Sequence, residues 1–460
     1  MSMSTDHPIN TDTIVAIATS PGRGSIGVTR LSGPEALIIA GKICKGVTFK
    51  PRKATYQSFR DHEGHILDQG IVIYFQAPHS FTGEEVVELQ GHGGPAVLNA
   101  LLKCTLALGA RLAKPGEFSE RAFCNGRLDL TQAEAIADLI NATSEQAARS
   151  AIRSLQGEFS QKVSDIHALL IKLRTYVEAS IDFSEEDIEF LSIHQVNEDL
   201  KELLQAIQLL RTSAEQGHRL QEGIHLVIAG PPNAGKSSLL NALIGQDKAI
   251  VTPISGTTRD VLHAEMNLDG LPLHIIDTAG LRLTEDIIEQ EGIKRALAEI
   301  NRADQVLWVV DSTVTQTAES PFTVLKLLNH PAIKSPVALI RNKIDLTQEV
   351  AGRMPDESYD ILQVSSKTGE GLDQLKTYLK ERVGYDAAFT GCSARERHID
   401  ALMKAEQRLK QAIEDWTVDS ILEILAFNLH EIQQMLAVIT GKITSDDLLG
   451  RIFSQFCIGK

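Results

Sequence analysis

Gly230-Pro231-Pro232-Asn233-Ala234-Gly235-Lys236-Ser237 stands near the middle of the chain, after the apolar run Leu226-Val227-Ile228-Ala229 and before Ser238-Leu239-Leu240-Asn241-Ala242-Leu243. A strand-like run, a glycine-containing octet ending in Lys-Ser and a helix-like segment make the context in which G-x-x-x-x-G-K-S is a phosphate-binding loop. Backbone N–H groups from Asn233, Ala234 and Gly235, and from the helix start at Ser237 and Ser238, face the phosphates. Lys236 reaches the outer phosphates, and the Ser237 hydroxyl ligates magnesium. The octet alone also reads as a glycine-containing turn between strand and helix.

Working outward, further motifs follow in the order a guanine-nucleotide domain requires. Ile275-Ile276-Asp277-Thr278-Ala279-Gly280 ends an apolar run with a carboxylate that can hold magnesium through water and a glycine N–H that can meet the terminal phosphate. Between it and the octet lies Gly256-Thr257-Thr258-Arg259-Asp260, whose Thr258 can offer magnesium a second hydroxyl. Val337-Ala338-Leu339-Ile340-Arg341 leads into Asn342-Lys343-Ile344-Asp345. Asp345 can accept two hydrogen bonds from the guanine edge, a pattern adenine does not offer, so this tetrad selects GTP. The backbone of Val364-Ser365-Ser366-Lys367 then meets the guanine oxygen.

Where Ras-like proteins carry a water-orienting glutamine after D-x-x-G, this chain has Leu281. Leucine cannot orient water. The nearest acceptors are in Glu285-Asp286-Ile287-Ile288-Glu289, which on composition alone reads more readily as a solvated acidic segment.

From position 13 to position 460 the chain resembles the MnmE/TrmE family of bacterial tRNA modification GTPases. The resemblance is carried by Pro21-Gly22-Arg23-Gly24, Ser80-Phe81-Thr82-Gly83-Glu84, Gln90-Gly91-His92-Gly93-Gly94-Pro95, Pro115-Gly116-Glu117-Phe118-Ser119-Glu120-Arg121-Ala122-Phe123, the GTPase motifs and Phe456-Cys457-Ile458-Gly459-Lys460. It implies a potassium ion held by Asn233 and by Thr252, Ile254 and Thr257 of the loop 252–257, with Thr252 and Thr257 also beside GTP. That cation supplies the charge an arginine finger supplies elsewhere. It also assigns the water-orienting role to Glu289.

Residues 13–18, 25–31, 71–75 and 85–89 read as strands and 96–108 as a helix, which alone describes a small α+β domain. Its glycine runs read as ligand cradles or as tight turns. The resemblance makes this domain a binder of a tetrahydrofolate derivative (5,10-methylene or 5-formyl) near a homodimer interface, through Arg30, Glu88, Arg127 and Lys460. A carboxylate suits the pterin's amino-pyrimidinone edge and cations suit the glutamate tail. Arg127 stands where lysine is usual, so a bidentate fork replaces a point charge. Cys457 reads either as an acid-base or nucleophilic thiol near the transferred carbon or as a tail cysteine without a task.

The 460 residues fit about three domains, and 43% apolar content without a membrane-length run excludes a spanning protein. Residues 1–10 are polar and lack a signal core, which argues against secretion. Five scattered cysteines without C-x-x-C indicate neither a disulfide framework nor a zinc site. A net charge of −15 suits an RNA-acting protein only with a partner that carries much of the phosphate binding.

Proline is absent from 116–230 and after 355, and apolar stripes recur at helical spacing: Val163, Ile166, Leu170, Leu173, Val177; Leu200, Leu203, Leu204, Ile207, Leu210; Ile399, Leu402, Leu409, Ile413; and 421–436. Two separate helical modules or one module built from both flanks fit this pattern; the resemblance favours the second. The expected fold is multidomain: an N-terminal α+β folate-binding domain (1–125), a discontinuous all-helical domain (126–222 and 386–460) and an inserted Ras-like P-loop α/β GTPase domain (223–385).

The resemblance implies a cytoplasmic GTPase that works with tRNA and a flavoprotein partner of the MnmG (GidA) type, which carries FAD, in a heterotetramer or larger complex. Their product is a carboxymethylaminomethyl or aminomethyl group at the 5-position of the wobble uridine. The GTPase motifs alone also fit a ribosome-assembly or regulatory switch, but no basic RNA-binding stretch is present. A stand-alone folate-dependent methyltransferase would need an electron carrier, for which no G-x-G-x-x-G site is seen.

Overall fold

The computed structural model describes residues 12–182, 193–246, 261–278, 300–314, 335–355, 360–382, 385, 389–442 and 446–459. Backbone packing divides the chain into two compact units, one of Met1–Ala137, Ser154–Ile207 and Asp400–Lys460, the other of Asp138–Arg153 and Gln208–Ile399.

In the first unit a six-stranded sheet takes the order β3-β4-β5-β2-β1-β6, from β1 Ile14–Ile17, β2 Gly27–Ser32, β3 Thr55–Arg60, β4 Ile66–Phe75, β5 Val86–Gly91 and β6 Arg111–Leu112. Alternation along β1 sends Val15 into the larger core and Ile14 and Ala16 to a smaller one with Ala113 and Phe118. The larger core holds Leu31, Phe59, Val72, Val87 and Leu89 from the sheet. Against them pack Leu101 of the helix Pro95–Ala107 and Ile39 and Ile43 of the helix Ala36–Ile43. The sequence reading omits the Ala36–Ile43 helix, yet its buried Ala36, Ile39, Ala40 and Ile43 follow the helical period.

The remaining helices of this unit bury most of the positions their periodicity predicts, although Leu204 and Ile413 are half-buried and Ile421, Ile424 and Phe427 are exposed. Val163, Ile166, Leu170, Leu173 and Val177 are buried on the helix Glu158–Asp182, which packs along Leu422–Thr440. Residues on either side of the phosphate-loop segment therefore share one helical bundle. The helix Asp446–Ser454 brings Leu449, Ile452 and Phe453 onto Leu130 and Ala133 of the helix Leu130–Asn141, with Phe456 beside them.

In the second unit a seven-stranded sheet takes the order β12-β13-β11-β10-β7-β9-β8, from β7 Ile224–Ala229, β8 Val261–Leu268, β9 Leu271–Thr278, β10 Gln305–Asp311, β11 Val337–Asn342, β12 Gly352–Pro355 and β13 Asp360–Gln363. The central strands are parallel and the edge strands β8 and β12 antiparallel. Parallel strands covered on both faces read as continuous apolar runs, which is why β7 and β11 stand out in the sequence. Leu226 and Ile228 enter one core with Leu239 and Leu243 of the helix Lys236–Gln246, while Val227 and Ala229 enter the other with Ile300 and Trp308.

Candidate functional site

The carboxyl ends of β7, β9, β10, β11 and β13 all open on one edge of the second sheet, where open parallel sheets hold ligands. From β7 the chain enters the phosphate loop. Asn233 has φ +63° and Gly235 φ +92°, so the loop turns back on itself before the helix Lys236–Gln246 begins. A Cβ on Gly235 would sit 2.3 Å from Asn342 Nδ2, so only glycine fits. Lys236 is 8% exposed, and its ammonium lies over the loop, donating to the carbonyls of Gly230 at 3.0 Å and Pro231 at 2.9 Å. Ser237 and Ser238 are exposed at the helix start.

Asn342 joins three loops of this edge. Its Nδ2 donates to Ala234 O at 3.0 Å, while its Oδ1 accepts from Ser366 N and Ser366 Oγ at 3.0 and 2.9 Å. Ser365 Oγ donates to Asp345 Oδ1 at 2.7 Å and accepts from Thr368 N at 3.1 Å. These bonds set the Asp345 carboxylate at the mouth formed by the tetrad and the 364–367 loop, with Lys367 exposed beside it. Asn342 is 1% exposed and Ser365 fully buried, so their bonds are shielded from water.

Lys343, at φ +68°, reaches the phosphate loop. Its Nζ donates to Asn233 O at 2.8 Å and to Asp311 Oδ2 at 2.6 Å. Burial works to raise the Asp311 pKa, but the Lys343 ammonium and the Thr313 N–H and hydroxyl outweigh it and hold the carboxyl below its ordinary range. The sequence reading did not single out Asp311. Its one signal is that the apolar run Val306-Leu307-Trp308-Val309-Val310 ends in a carboxylate, as β9 does.

Asp277 is the register partner of Ile228, which puts it on β9 beside the strand end from which the phosphate loop departs. Thr278 ends that strand. Thr252, Ile254, Thr257, Thr258, Ala279, Gly280, Glu289 and Lys460 lie outside the described residues. A concavity of about 580 Å³ at the turn between β8 and β9, lined by residues including Gln146, Arg149, Asn267 and Phe389, belongs to the other end of these strands.

In the first unit Arg30 and Glu88 are register partners on β2 and β5. Arg30 Nε donates to Glu88 Oε1 at 3.0 Å, and Gln90 Nε2 donates to Oε2 at 3.0 Å. The guanidinium lies 6.0 and 5.8 Å from the ring centroids of Phe81 and Phe118. Arg30 Nη1 also donates to Gly459 O at 3.5 Å. The 455–459 segment arrives there through a bridge between Pro115 and Ile458 and a bond from Gly116 N to Cys457 O at 3.4 Å. Gly459 has φ +97°, and a Cβ on it would sit 2.6 Å from Ile17 O. Arg127 follows the helix Glu117–Cys124, its stem beside Gly83. Cys457 is exposed, whereas burial pushes the Cys44 thiol up to about 12 and leaves it unreactive.

Glu117, Arg111, Arg121, Asp12 and Glu84 form an ion-pair cluster beneath this edge. Arg121, 2% exposed, donates to Asp12 Oδ1 at 2.7 Å, Glu84 Oε2 at 3.1 Å and Glu117 Oε1 at 3.1 Å. The cluster explains most of the charge in Glu117-Phe118-Ser119-Glu120-Arg121 as structural. Sequence reading saw that motif only as part of a resemblance.

Among the described residues no helix is long and apolar enough to cross a membrane. Two family models match the chain, "GTP-binding protein TrmE N-terminus" over residues 13–127 and "MnmE helical domain" over residues 130–457. The chain is 52% identical over 451 residues to a tRNA modification GTPase MnmE from Pasteurella multocida, covering 98% of this chain and 100% of that one. It is also 52% identical over 453 residues to one from Proteus mirabilis, with the same coverage. The solved G domain of the FeoB iron transporter of T. maritima is 26% identical, covering 35% of this chain and 96% of that one at a TM-score of 0.26.

Proposed function

The chain belongs to the MnmE/TrmE family of tRNA modification GTPases, and on that premise we propose that its GTP hydrolysis is potassium-dependent and drives tRNA modification in a complex with a second protein. That partner is a flavoprotein of the MnmG (GidA) type carrying FAD. The complex installs a carboxymethylaminomethyl or aminomethyl group at the 5-position of the wobble uridine, using a carbon from a tetrahydrofolate derivative. The protein acts as a cytoplasmic homodimer, with domains at 1–125, 126–222 with 386–460, and 223–385.

The joint at Asn342 is the observation that most supports this reading of the nucleotide site. One side chain ties the phosphate loop to the loop behind the base-reading tetrad, so phosphate and base contacts are set at a fixed spacing. In this reading Asp345 accepts from the guanine edge, the loop N–H groups and Lys236 hold the phosphates, and Glu289 orients the attacking water. Ser237 and Thr258, with Asp277 through water, are the hard oxygen donors magnesium takes. Asn233, Thr252, Ile254 and Thr257 would hold potassium, whose charge offsets that developing on the phosphates.

The donor set at Arg30 and Glu88 suits the fused-ring edge of a folate: a half-buried carboxylate as acceptor, with a guanidinium and two aromatic rings beside it. Arg127 and Lys460 are the cations for its glutamate tail. Cys457 acts near the transferred carbon, on a segment whose neighbour Gly459 meets Arg30.

GTPase rates in potassium and in sodium, with Glu289→Ala alongside, test the hydrolytic half. Faster turnover in potassium and a loss of roughly 100-fold or more in the variant are expected; equal rates in both salts, or full activity in the variant, overturn it. Mass analysis of tRNA nucleosides from cells lacking the protein tests the other half, and unmodified wobble uridines are expected there.

A further inference from the structure

We propose that Asp311 is a positioning residue for GTP binding, acting through Lys343 on the phosphate loop. Asp311 is the last residue of β10 and the register partner of Asn342, so it stands beside the tetrad without belonging to it. Its Oδ1 accepts from Thr313 N at 2.9 Å and Thr313 Oγ1 at 2.7 Å, which fixes the carboxylate plane. Its Oδ2 takes the Lys343 ammonium at 2.6 Å. A lysine head on a four-carbon stem has many rotamers and strong hydration, so one carbonyl acceptor does not hold it. With the carboxylate in place the ammonium stays over the loop and donates to Asn233 O at 2.8 Å.

Asn233 is the residue that needs holding. Its φ of +63° lies in the left-handed region, which asparagine enters more readily than most non-glycine residues but does not hold by itself, and the turn of the loop depends on its staying there. Asp311, Lys343 and Asn233 thus form a chain from the end of β10 through the base-reading tetrad to the turn of the phosphate loop. Loss of the first link frees the second and lets the loop leave the geometry that greets phosphate. Asn233 is also the proposed potassium ligand, so the same loss raises the potassium requirement; this arm alone rests on the potassium reading above.

The test is steady-state hydrolysis by the full chain carrying Asp311→Asn or Thr313→Val, with KM, kcat and half-saturating potassium determined separately. Asp311→Asn raises KM for GTP and half-saturating potassium by roughly five- to tenfold, while kcat at saturation stays within about twofold. Thr313→Val keeps the charge, loses one hydroxyl bond and moves KM the same way by about twofold. In a Lys343→Met background, Asp311→Asn adds no further rise. An unchanged KM, a fall in kcat alone, or a full additional effect in that background overturns the proposal. If the unaltered chain proves indifferent to potassium, the potassium reading fails by itself and KM in sodium still decides Asp311. If Asp311→Asn does not fold, the Thr313→Val shift decides it.

Discussion

Arg30 and Glu88 sit opposite one another on adjacent antiparallel strands and share a 2.9 Å ion pair whose second carboxylate oxygen is taken by Gln90. Glu88→Ala removes the acceptor and releases the guanidinium at once. A hydrogen bond to a charged group is worth about 1.5–3 kcal/mol, so calorimetry should show affinity for 5-formyltetrahydrofolate falling roughly 10- to 100-fold. The KM for GTP should not move. Unaltered folate binding would remove Glu88 from the site.

Gly235→Ala puts a methyl group where Asn342 Nδ2 already lies, at a φ that L side chains rarely adopt. The left-handed conformation alone costs about 1–2 kcal/mol, and the Asn342 joint must also shift. Fluorescent GDP titration should show affinity reduced roughly tenfold or more with far-UV circular dichroism unchanged. Binding equal to that of the unaltered chain would mean that this joint does not govern the nucleotide site.

The ion-pair cluster makes the stability of the first unit acid-sensitive. For Glu117, burial acts to raise the pKa, but Arg111, Lys114 N–H and Arg121 outweigh it and hold it low; Asp12 is lowered chiefly by its bond to Arg111. The unfolded chain therefore binds more protons than the folded one below the ordinary carboxylate values of 4.5 and 3.8. The stabilisation is complete above those values and drains away as pH falls through the lower folded ones. Thermal midpoints from about pH 7 to pH 3 should drop most steeply at the acid end, and Glu117→Gln should flatten that slope while costing about 1–3 kcal/mol at neutral pH. A variant with an unchanged acid slope would contradict this account.

The nucleotide motifs were legible because their chemistry leaves little choice of residue. Gly235 cannot be replaced beside Asn342, Lys236 folds over the loop onto the Gly230 and Pro231 carbonyls, and the apolar runs of β7 and β11 advertise strands buried on both faces. Asp311 was not legible, because its meaning depends on pairing with Asn342 across β10 and β11, which no local pattern records. The strand read at 71–75 is the second half of the longer Ile66–Phe75, whose first half carries Asp68 and Gln69 and shows no apolar run. Arg30 and Glu88 are 58 positions apart and meet only through sheet register. Resemblance supplied their names; the sheet supplied their contact.

The bridge between Pro115 and Ile458 spans 343 positions (458 − 115). While the chain is being made, the first sheet can fold long before its last neighbour exists. At roughly 5–20 residues per second the wait is on the order of tens of seconds. A chain stalled between the first sheet and Gly459 can pair Arg30 with Glu88 but lacks the carbonyl that meets Arg30. The contact between Arg30 and Gly459 thus forms only after every one of the GTPase motifs has been made.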